Sequence, residues 1–337
     1  MGIFYSSAVD LHTNINMIKF RHTLRFTRIK LVKALVYTVS AIIFLATLLT
    51  YIPTRNFLVS SELPGLLREV PTYRLISIAT APCTRQVGAA PVTCPERIKT
   101  KTSRDAIESR NVKYYDKLNI STHPADSMIW NFLPRLSREE KASTLHLLDV
   151  FVELMDEIHV DYFLTNGALL GVVRHRGIIP WDDDIDLAIN VKDWRKVKDT
   201  LGCVEGFSIH LSDTMHWKFF EDSSYTIRTD PQIKFPFLDI WFYEEDSEYI
   251  WGITHYERWY LLYPLTSVFP LGRAPLDGKL YSVPRKAEEL VRADFGLTMC
   301  KSNRGHRLKE IDEIHTIPCR DLKALFDVFD SLDVSVY

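Results

Sequence analysis

Residues 178–189 read Ile-Ile-Pro-Trp-Asp-Asp-Asp-Ile-Asp-Leu-Ala-Ile, which places four carboxylates in one short segment before an apolar run. Like charges this close repel, and burying them without a partner is costly. A hard divalent ion with oxygen ligands is the simplest partner. On a strand, Asp184 and Asp186 point to one face while the isoleucine between them points to the other. The segment therefore predicts a strand that presents two carboxylates to a metal ion.

The composition is that of a globular protein. The chain has 337 residues, of which 46% are hydrophobic and 25% charged, enough for a sizeable core. A net charge of -2 gives no indication of a nucleic-acid partner. The five cysteines form no Cys-x-x-Cys pair, which argues against a cysteine zinc site. In an oxidising compartment, Cys83 and Cys94 are close enough in sequence to close a small loop, and the odd number leaves one thiol over.

An uncharged stretch near the N-terminus predicts a membrane anchor. Residues 34–52 carry no charge and follow a basic segment, whereas the far side opens with a single arginine. About 20 apolar residues span a bilayer, and basic residues tend to stay cytosolic. The prediction is a single-pass type II protein whose remaining chain is lumenal. A cleaved signal peptide and a buried core helix are the competing interpretations.

The rest of the chain divides into a poorly patterned part and an ordered part. Prolines recur before residue 137, which is typical of a stem. This stem contains the sequon at Asn119, a candidate glycosylation site on the lumenal side. The predicted organisation is a cytosolic tail at 1–33, a transmembrane signal anchor at 34–54, a stem at 55–136, a catalytic domain at 137–300 and a C-terminal extension at 301–337.

Regular elements begin at Ser137, which has the capping-box pattern with a glutamate three residues later. Apolar residues then recur at helical spacing up to residue 158. The pattern predicts further strands at 162–164, 185–189, 232–243 and 249–254, and helices at 168–173, 192–201 and 284–295. Helices and strands mix without strict alternation, so the sequence predicts an α+β domain with a mixed sheet and flanking helices.

Two further features accompany the acidic segment. Gly167 lies where a predicted strand turns into a helix, and a glycine at such a corner lets backbone N–H groups approach a phosphate. Asp239 lies between apolar residues of another predicted strand, where an unpaired carboxylate would be costly. Taken together, three carboxylates from two strands and a phosphate-binding corner indicate a nucleotidyltransferase-like site that holds a diphosphate with one or two Mg²⁺ or Mn²⁺ ions.

The segment from Asn166 to Asp186, with its Trp-Asp-Asp-Asp-Ile-Asp run, resembles the signature of the LicD family. That family includes bacterial phosphocholine transferases and the animal proteins fukutin and fukutin-related protein. Further similarity lies at residues 239–240, 268–271, 283–284 and 293–296. The predicted anchor and stem add to the resemblance to the Golgi-resident animal members, although the segment before Ser137 is too small for a folded stem domain of their kind. The resemblance thus implies a Golgi or ER location with a lumenal catalytic domain.

The resemblance also implies an activity, which is the metal-dependent transfer of ribitol phosphate or phosphocholine from a CDP-activated donor to a glycan hydroxyl. By motif position, the metal carboxylates are Asp184, Asp186 and Asp239, and Asp239 is the candidate for taking the hydroxyl proton. Asp182 is expected to support them. The donor-binding candidates are Gly167, Ala168, Arg174 and His175. Ala168 departs from the serine that many members carry there.

Two other readings remain open from sequence. One is a lumenal Asp-x-Asp glycosyltransferase that uses sugar nucleotides, and it would need neither the glycine corner nor Asp239. The other is a non-catalytic glycan-binding or scaffold protein, against which the presence of all three carboxylates argues. The family resemblance leaves a homo-oligomer open. Tryptophans that are candidates to stack on an acceptor sugar lie at positions 181, 241, 251 and 259.

Overall fold

The central feature of the fold is a seven-stranded mixed sheet. Numbered along the chain with the ranges given below, five strands follow the order β1-β2-β5-β4-β3, while β6 pairs with β5 and β7 pairs with β6. The computed structural model describes residues 70–81, 92–105, 107, 128–212, 216–227, 230–254, 257–302 and 314–332. Within these, the strands of the sheet are β1 (Tyr162–Leu164), β2 (Ile185–Asn190), β3 (Phe207–His210), β4 (Trp217–Ile227), β5 (Asp230–Glu245), β6 (Tyr249–Gly252) and β7 (Tyr263–Pro264).

The sheet is mixed because one pair of strands is parallel. Strands β2 and β5 run parallel, whereas β1 pairs with β2, and β4 with β5, in antiparallel fashion. Two further antiparallel pairs lie outside the sheet. They are β8 (Gly272–Leu276) with β9 (Lys279–Val283), and β10 (Met299–Ser302) with β11 (His315–Pro318). The predicted α+β class with a mixed sheet is confirmed.

The helices flank the sheet. They are α1 (Thr72–Thr80), α2 (Arg138–Glu157), α3 (Asn166–His175), α4 (Trp194–Leu201), α5 (Leu265–Val268) and α6 (Ala287–Asp294). The predicted capping box is confirmed, because the Ser137 side chain accepts from the Glu140 N–H and the Glu140 side chain from the Ser137 N–H. The C-terminal helix begins at Ala287, three residues later than predicted, since residues 284–286 form a turn before it.

The core lies between α2 and the sheet. Helix α2 presents a continuous apolar stripe that includes Leu147, Phe151 and Leu154, all at 0–1% exposure, as the 3.6-residue period requires. These side chains pack in one hydrophobic cluster with residues of β2 and β5 such as Leu187 and Ile240. The carboxylate-bearing strands are therefore held rigidly from beneath.

The predicted fold needs one correction, which concerns the transmembrane helix. Among the described residues, no helix is both long and apolar enough to cross a bilayer. Helix α2 has 20 residues but carries charged side chains on its outer face, as expected of a helix with one side in water. The segment predicted as the anchor, 34–54, and the cytosolic tail, 1–33, lie outside the described residues, as does Asn119.

Part of the segment predicted as a stem packs on the domain that contains the central sheet. Residues 92–105 are joined to it by a Cys94–Cys203 disulfide and by an Ile98 N–H bond to the Cys203 carbonyl at 2.9 Å. Cys94 thus pairs with Cys203 and not with Cys83, which lies outside the described residues. A second disulfide joins Cys300 to Cys319. The first pairing spans 109 residues, so no local spacing in the sequence marks it.

A buried ion pair fixes the turn that leads into the acidic segment. The Lys141 ammonium on α2 lies 2.7 Å from Asp277 Oδ1, and the two side chains are 3% and 12% exposed. The other oxygen of Asp277 accepts the Ile178 N–H at 2.9 Å, and the Asp277 N–H donates to the Arg176 carbonyl at 2.8 Å. The pair therefore ties α2 and the β8–β9 turn to residues 176–178.

We expect Lys141→Met to lower the free energy of unfolding by about 3 kcal/mol, because it leaves the Asp277 charge buried without its partner. The measurement is urea unfolding of the full chain. Lys192→Met is the matched control, since its pairing with Glu245 at 3.7 Å is solvent-exposed and should be worth under about 1 kcal/mol. Equal effects of the two substitutions would contradict the assignment.

Candidate active site

The parallel pairing of β2 and β5 brings the predicted carboxylates together. Asp186 and Asp239 are register partners on the two strands, and partners on adjacent strands point to the same face. Asp184 lies just before β2. One ligand oxygen from each of the three lies within 4.8 Å of the others, and all three residues are buried. The arrangement can hold a cation among three carboxylate oxygens.

The glycine corner lies directly against this cluster. The Thr165 N–H before α3 donates to the Asp186 carbonyl at 3.1 Å, which fixes the first turn of α3 beside β2. A Cβ on Gly167 would lie 2.7 Å from Asp182 Oδ2 and 3.7 Å from Asp186 Oδ2. Only glycine therefore lets the helix start approach the carboxylates so closely.

The three carboxylates differ in their electrostatic surroundings. Burial, together with the charges of Asp184 and Asp239, raises the pKa of Asp186 well above its ordinary value. Burial would also raise the pKa of Asp239, but the Lys218 ammonium and the His216 ring lower it to about 2. Asp186 thus carries an electrostatic cost that a bound divalent cation would lower. The donor set of carboxylate oxygens fits Mg²⁺ or Mn²⁺.

Hydrogen bonds orient two of the carboxylates. The Trp241 Nε1–H donates to Asp186 Oδ1 at 2.8 Å. Lys218 Nζ donates to Asp239 Oδ1, and His216 Nε2 lies 3.3 Å from the same oxygen. The positions of Lys218 and His216 beside Asp239 were not predicted from the sequence. A signal was available, since Lys218 alternates with the apolar Trp217 and Phe219 and so points to the opposite face of its strand.

A cavity of about 520 Å³ opens from the cluster. Its walls include Gly167, the cluster members Asp184 and Asp186, and the neighbouring Asp182, with Arg174, Trp181 and Trp241. Its rim carries exposed apolar side chains, which are those of Tyr260, Phe295, Met299 and Ile314. Part of the wall therefore comes from residues 299–301 and 314, at and beyond the predicted end of the catalytic domain.

The predicted donor-binding residues divide into two groups. Arg174 lines the cavity, and its guanidinium lies 5.5 Å from the centroid of the Trp181 ring. Burial lowers its pKa to about 10, and the charge of Asp182 acts against that decrease. Arg174 is a cation at neutral pH. His175 instead accepts from Arg174 Nε at 3.0 Å and contacts the Asp327 carbonyl through Nδ1 at 2.9 Å. Burial and the Arg174 charge lower its pKa to about 3, so its ring is neutral.

Ala168 and the neighbouring acidic residues take other positions. Ala168 packs in the hydrophobic core, so its side chain does not contribute to the cavity wall. Asp182 Oδ1 accepts the Asp183 N–H at 3.1 Å and its other oxygen faces Gly167. Asp294, in the segment that resembles the end of the family domain, lies 2.8 Å from the Tyr263 hydroxyl.

The sequence of this region matches known proteins. Residues 159–286 match the family model "LicD/FKTN/FKRP, nucleotidyltransferase domain". The chain is 39% identical over 62 residues to lipopolysaccharide cholinephosphotransferase LicD of Haemophilus influenzae, which covers 18% of this chain and 23% of the relative. It is 25% identical over 151 residues to human ribitol 5-phosphate transferase FKRP, covering 43% of this chain and 29% of the relative. Human ribitol-5-phosphate transferase FKTN matches at 23% over 159 residues, with 47% and 33% covered.

These matches span about a quarter to a third of the relatives' length. The segment that matches the family model, residues 159–286, carries the glycine corner and the three metal-ligand candidates. The predicted resemblance to the LicD family is therefore confirmed for residues 159–286, which match its nucleotidyltransferase domain.

Proposed function

We propose that this protein transfers an alcohol phosphate, either phosphocholine or ribitol phosphate, from a CDP-activated donor to a glycan hydroxyl with the help of Mg²⁺ or Mn²⁺. The observation that carries the proposal is the buried triad of Asp184, Asp186 and Asp239, whose ligand oxygens lie within 4.8 Å of one another. Relatives with the same domain are named as transferases of these two groups. When bound, the divalent ion supplies positive charge that offsets the diphosphate charge in the reaction.

The chain's own residues have distinct parts in this reaction. The start of α3 at Gly167 offers backbone N–H groups and the positive end of the helix to the donor diphosphate. Arg174 places a guanidinium in the cavity wall, suited to a phosphate oxygen. The acceptor hydroxyl then attacks the distal phosphorus, the bond from that phosphorus to the CMP oxygen breaks, and the hydroxyl proton is released to water. The products are a phosphodiester and CMP.

Asp239 serves as a metal ligand and not as the general base in this proposal. Lys218 and His216 hold its pKa at about 2, and a carboxylate of such low basicity is a weak proton acceptor at neutral pH. The same charges keep Asp239 ionised, which is the state that a metal ligand requires. The sequence-based hypothesis had Asp239 take the hydroxyl proton, and this proposal assigns that residue to the metal ion instead.

We also propose that the domain works in an oxidising compartment of the secretory pathway, such as the Golgi or ER lumen. The two disulfides, Cys94–Cys203 and Cys300–Cys319, support this location, since such bonds are rare in reducing compartments. A glycan acceptor is available there.

The deciding experiment is a donor screen with the full-length chain, Mn²⁺ and a panel of glycan acceptors. CDP-choline, CDP-ribitol and UDP-sugars are offered in turn. The proposal expects CMP release and a phosphocholine or ribitol phosphate mass added to the glycan. Release of UDP with a sugar mass added would replace it with the glycosyltransferase reading. Binding of neither Mn²⁺ nor a CDP compound would favour a non-catalytic protein.

We expect Asp184→Asn, Asp186→Asn and Asp239→Asn each to lower transfer at least about 100-fold, because each removes one anionic ligand of the metal. The measurement is CMP release under saturating donor. Asp222→Asn is the matched control on β4, since this aspartate is exposed and bonds to Ser208. Its turnover should equal that of the wild type. Full turnover in any triad variant would remove that residue from the site.

Gly167→Ala should lower turnover by about 10- to 100-fold, because its Cβ would lie 2.7 Å from Asp182 Oδ2 and must displace the carboxylate. The loss should be smaller when the same substitution is made in an Asp182→Ala background, where the clashing oxygen is gone. The measurement is the turnover of all four chains. Purely additive effects would show that the close approach to Asp182 is not the cause.

A further inference from the structure

A lysine lies within the proposed metal site. Lys218 on β4 is the register partner of Asp239, and its ammonium donates to Asp239 Oδ1. The ammonium also lies 3.9 Å from the centroid of the Phe237 ring, and the side chain is only 19% exposed. The ring and the partner carboxylate together hold this cation beside the acidic cluster.

Two aromatic side chains, those of His216 and Trp241, lie between the Lys218–Asp239 contact and Asp186. His216 Nε2 lies 3.3 Å from Asp239 Oδ1, and the His216 ring centroid lies 4.1 Å from that of Trp241. Trp241 in turn donates to Asp186 Oδ1 at 2.8 Å. One oxygen of Asp186 and one of Asp239 are therefore each committed to a protein donor.

These commitments limit how many ions the cluster can hold. In two-metal sites the ions lie about 3.5–4 Å apart, and a carboxylate that bridges them gives one oxygen to each. Asp239 Oδ1 is taken by Lys218 and Asp186 Oδ1 by Trp241. Each Oδ2 remains for a metal ion, and a second ion bridged through an Oδ1 would have to share that oxygen with Lys218 or Trp241.

The charges of the triad favour the same outcome. Its three carboxylates carry three negative charges, and the Lys218 ammonium cancels one of them. One divalent ion neutralises the two that remain in the triad, while Asp182 and Asp183 lie beside Asp184 and outside it. A second divalent ion beside Asp239 would meet the ammonium at close range, where charges interact strongly in a partly buried site.

We propose that Lys218 takes the place of a second metal ion, so that the Asp184, Asp186 and Asp239 carboxylates hold a single divalent cation. This rests on the proposed function only in assigning the cluster as a metal site. Lys218 is a positioning residue here, since it acts on the metal through Asp239.

The first test is a calorimetric titration of Mn²⁺ into the full-length wild-type chain without nucleotide. The proposal expects one Mn²⁺ per chain. Two bound ions would overturn it, even if the transfer reaction is intact. No bound ion would overturn both this proposal and the metal assignment on which it rests.

Substitution of Lys218 gives the second test. Lys218→Met should bind the first Mn²⁺ at least about tenfold more tightly or admit a second ion, because it removes a positive charge beside the cluster. Lys218→Arg keeps the charge and should bind one ion with an affinity within about threefold of the wild type. Lys234→Met is the control, since the Lys234 ammonium on β5 bonds to the Asp222 carbonyl instead.

Wild-type stoichiometry and affinity in Lys218→Met would overturn the proposal. Thermal unfolding checks that each variant is folded, and the wild-type stoichiometry decides the question if Lys218→Met does not fold. A chain that binds one Mn²⁺ but transfers nothing from any CDP donor would overturn the proposed function while leaving this inference in place.

Discussion

The parallel pairing of β2 with β5 is the constraint on which the rest of the site depends. It sets Asp186 opposite Asp239 on one face of the sheet and so forces buried like charges together, which raises the pKa of Asp186. Such an arrangement is unfavourable unless cations are supplied. Lys218 supplies one, from the strand on the other side of β5. The remaining negative charge is what makes the cluster a candidate metal site.

The surrounding structure holds this unfavourable cluster in position. The apolar face of α2 packs beneath β2 and β5, so neither strand can move apart to relieve the repulsion. The Lys141–Asp277 pair fixes the turn before the acidic segment. Close packing of Gly167 against Asp182 then sets the distance from the α3 N-terminus to the carboxylates. Precise placement of charge is what electrostatic catalysis requires.

The elements predicted best were those with a local cause. The capping box at Ser137 and the alternation in residues 184–187 are read within a few residues, and both match the structure. The predictions for His175 and Ala168 rested on motif position alone. His175 is neutral and bonded to a carbonyl, and Ala168 is in the core. Both positions depend on which face of α3 packs inward, and a motif position does not report that face.

Apart from the carboxylate triad, contacts between residues far apart in sequence were not predicted. The Cys94–Cys203 pairing, the cavity wall from Met299 and Ile314, and the Lys218 contact to Asp239 all join segments whose approach depends on chain topology. The sequence carries no periodic signal for such contacts, since helix and strand periods report only the local face. The predicted membrane helix is not among the described helices, none of which is long and apolar enough to cross a bilayer.

By itself, the sequence indicated the α+β class and the resemblance of one domain to the LicD family. It also pointed to the three carboxylates, because an acidic run before apolar strand residues is costly without a cation. Only the tertiary structure decided how these charges are balanced. Strand register placed Lys218 on Asp239 and Trp241 on Asp186, and register follows from which strands pair. That pairing is a property of the whole sheet, and no short segment of the chain encodes it.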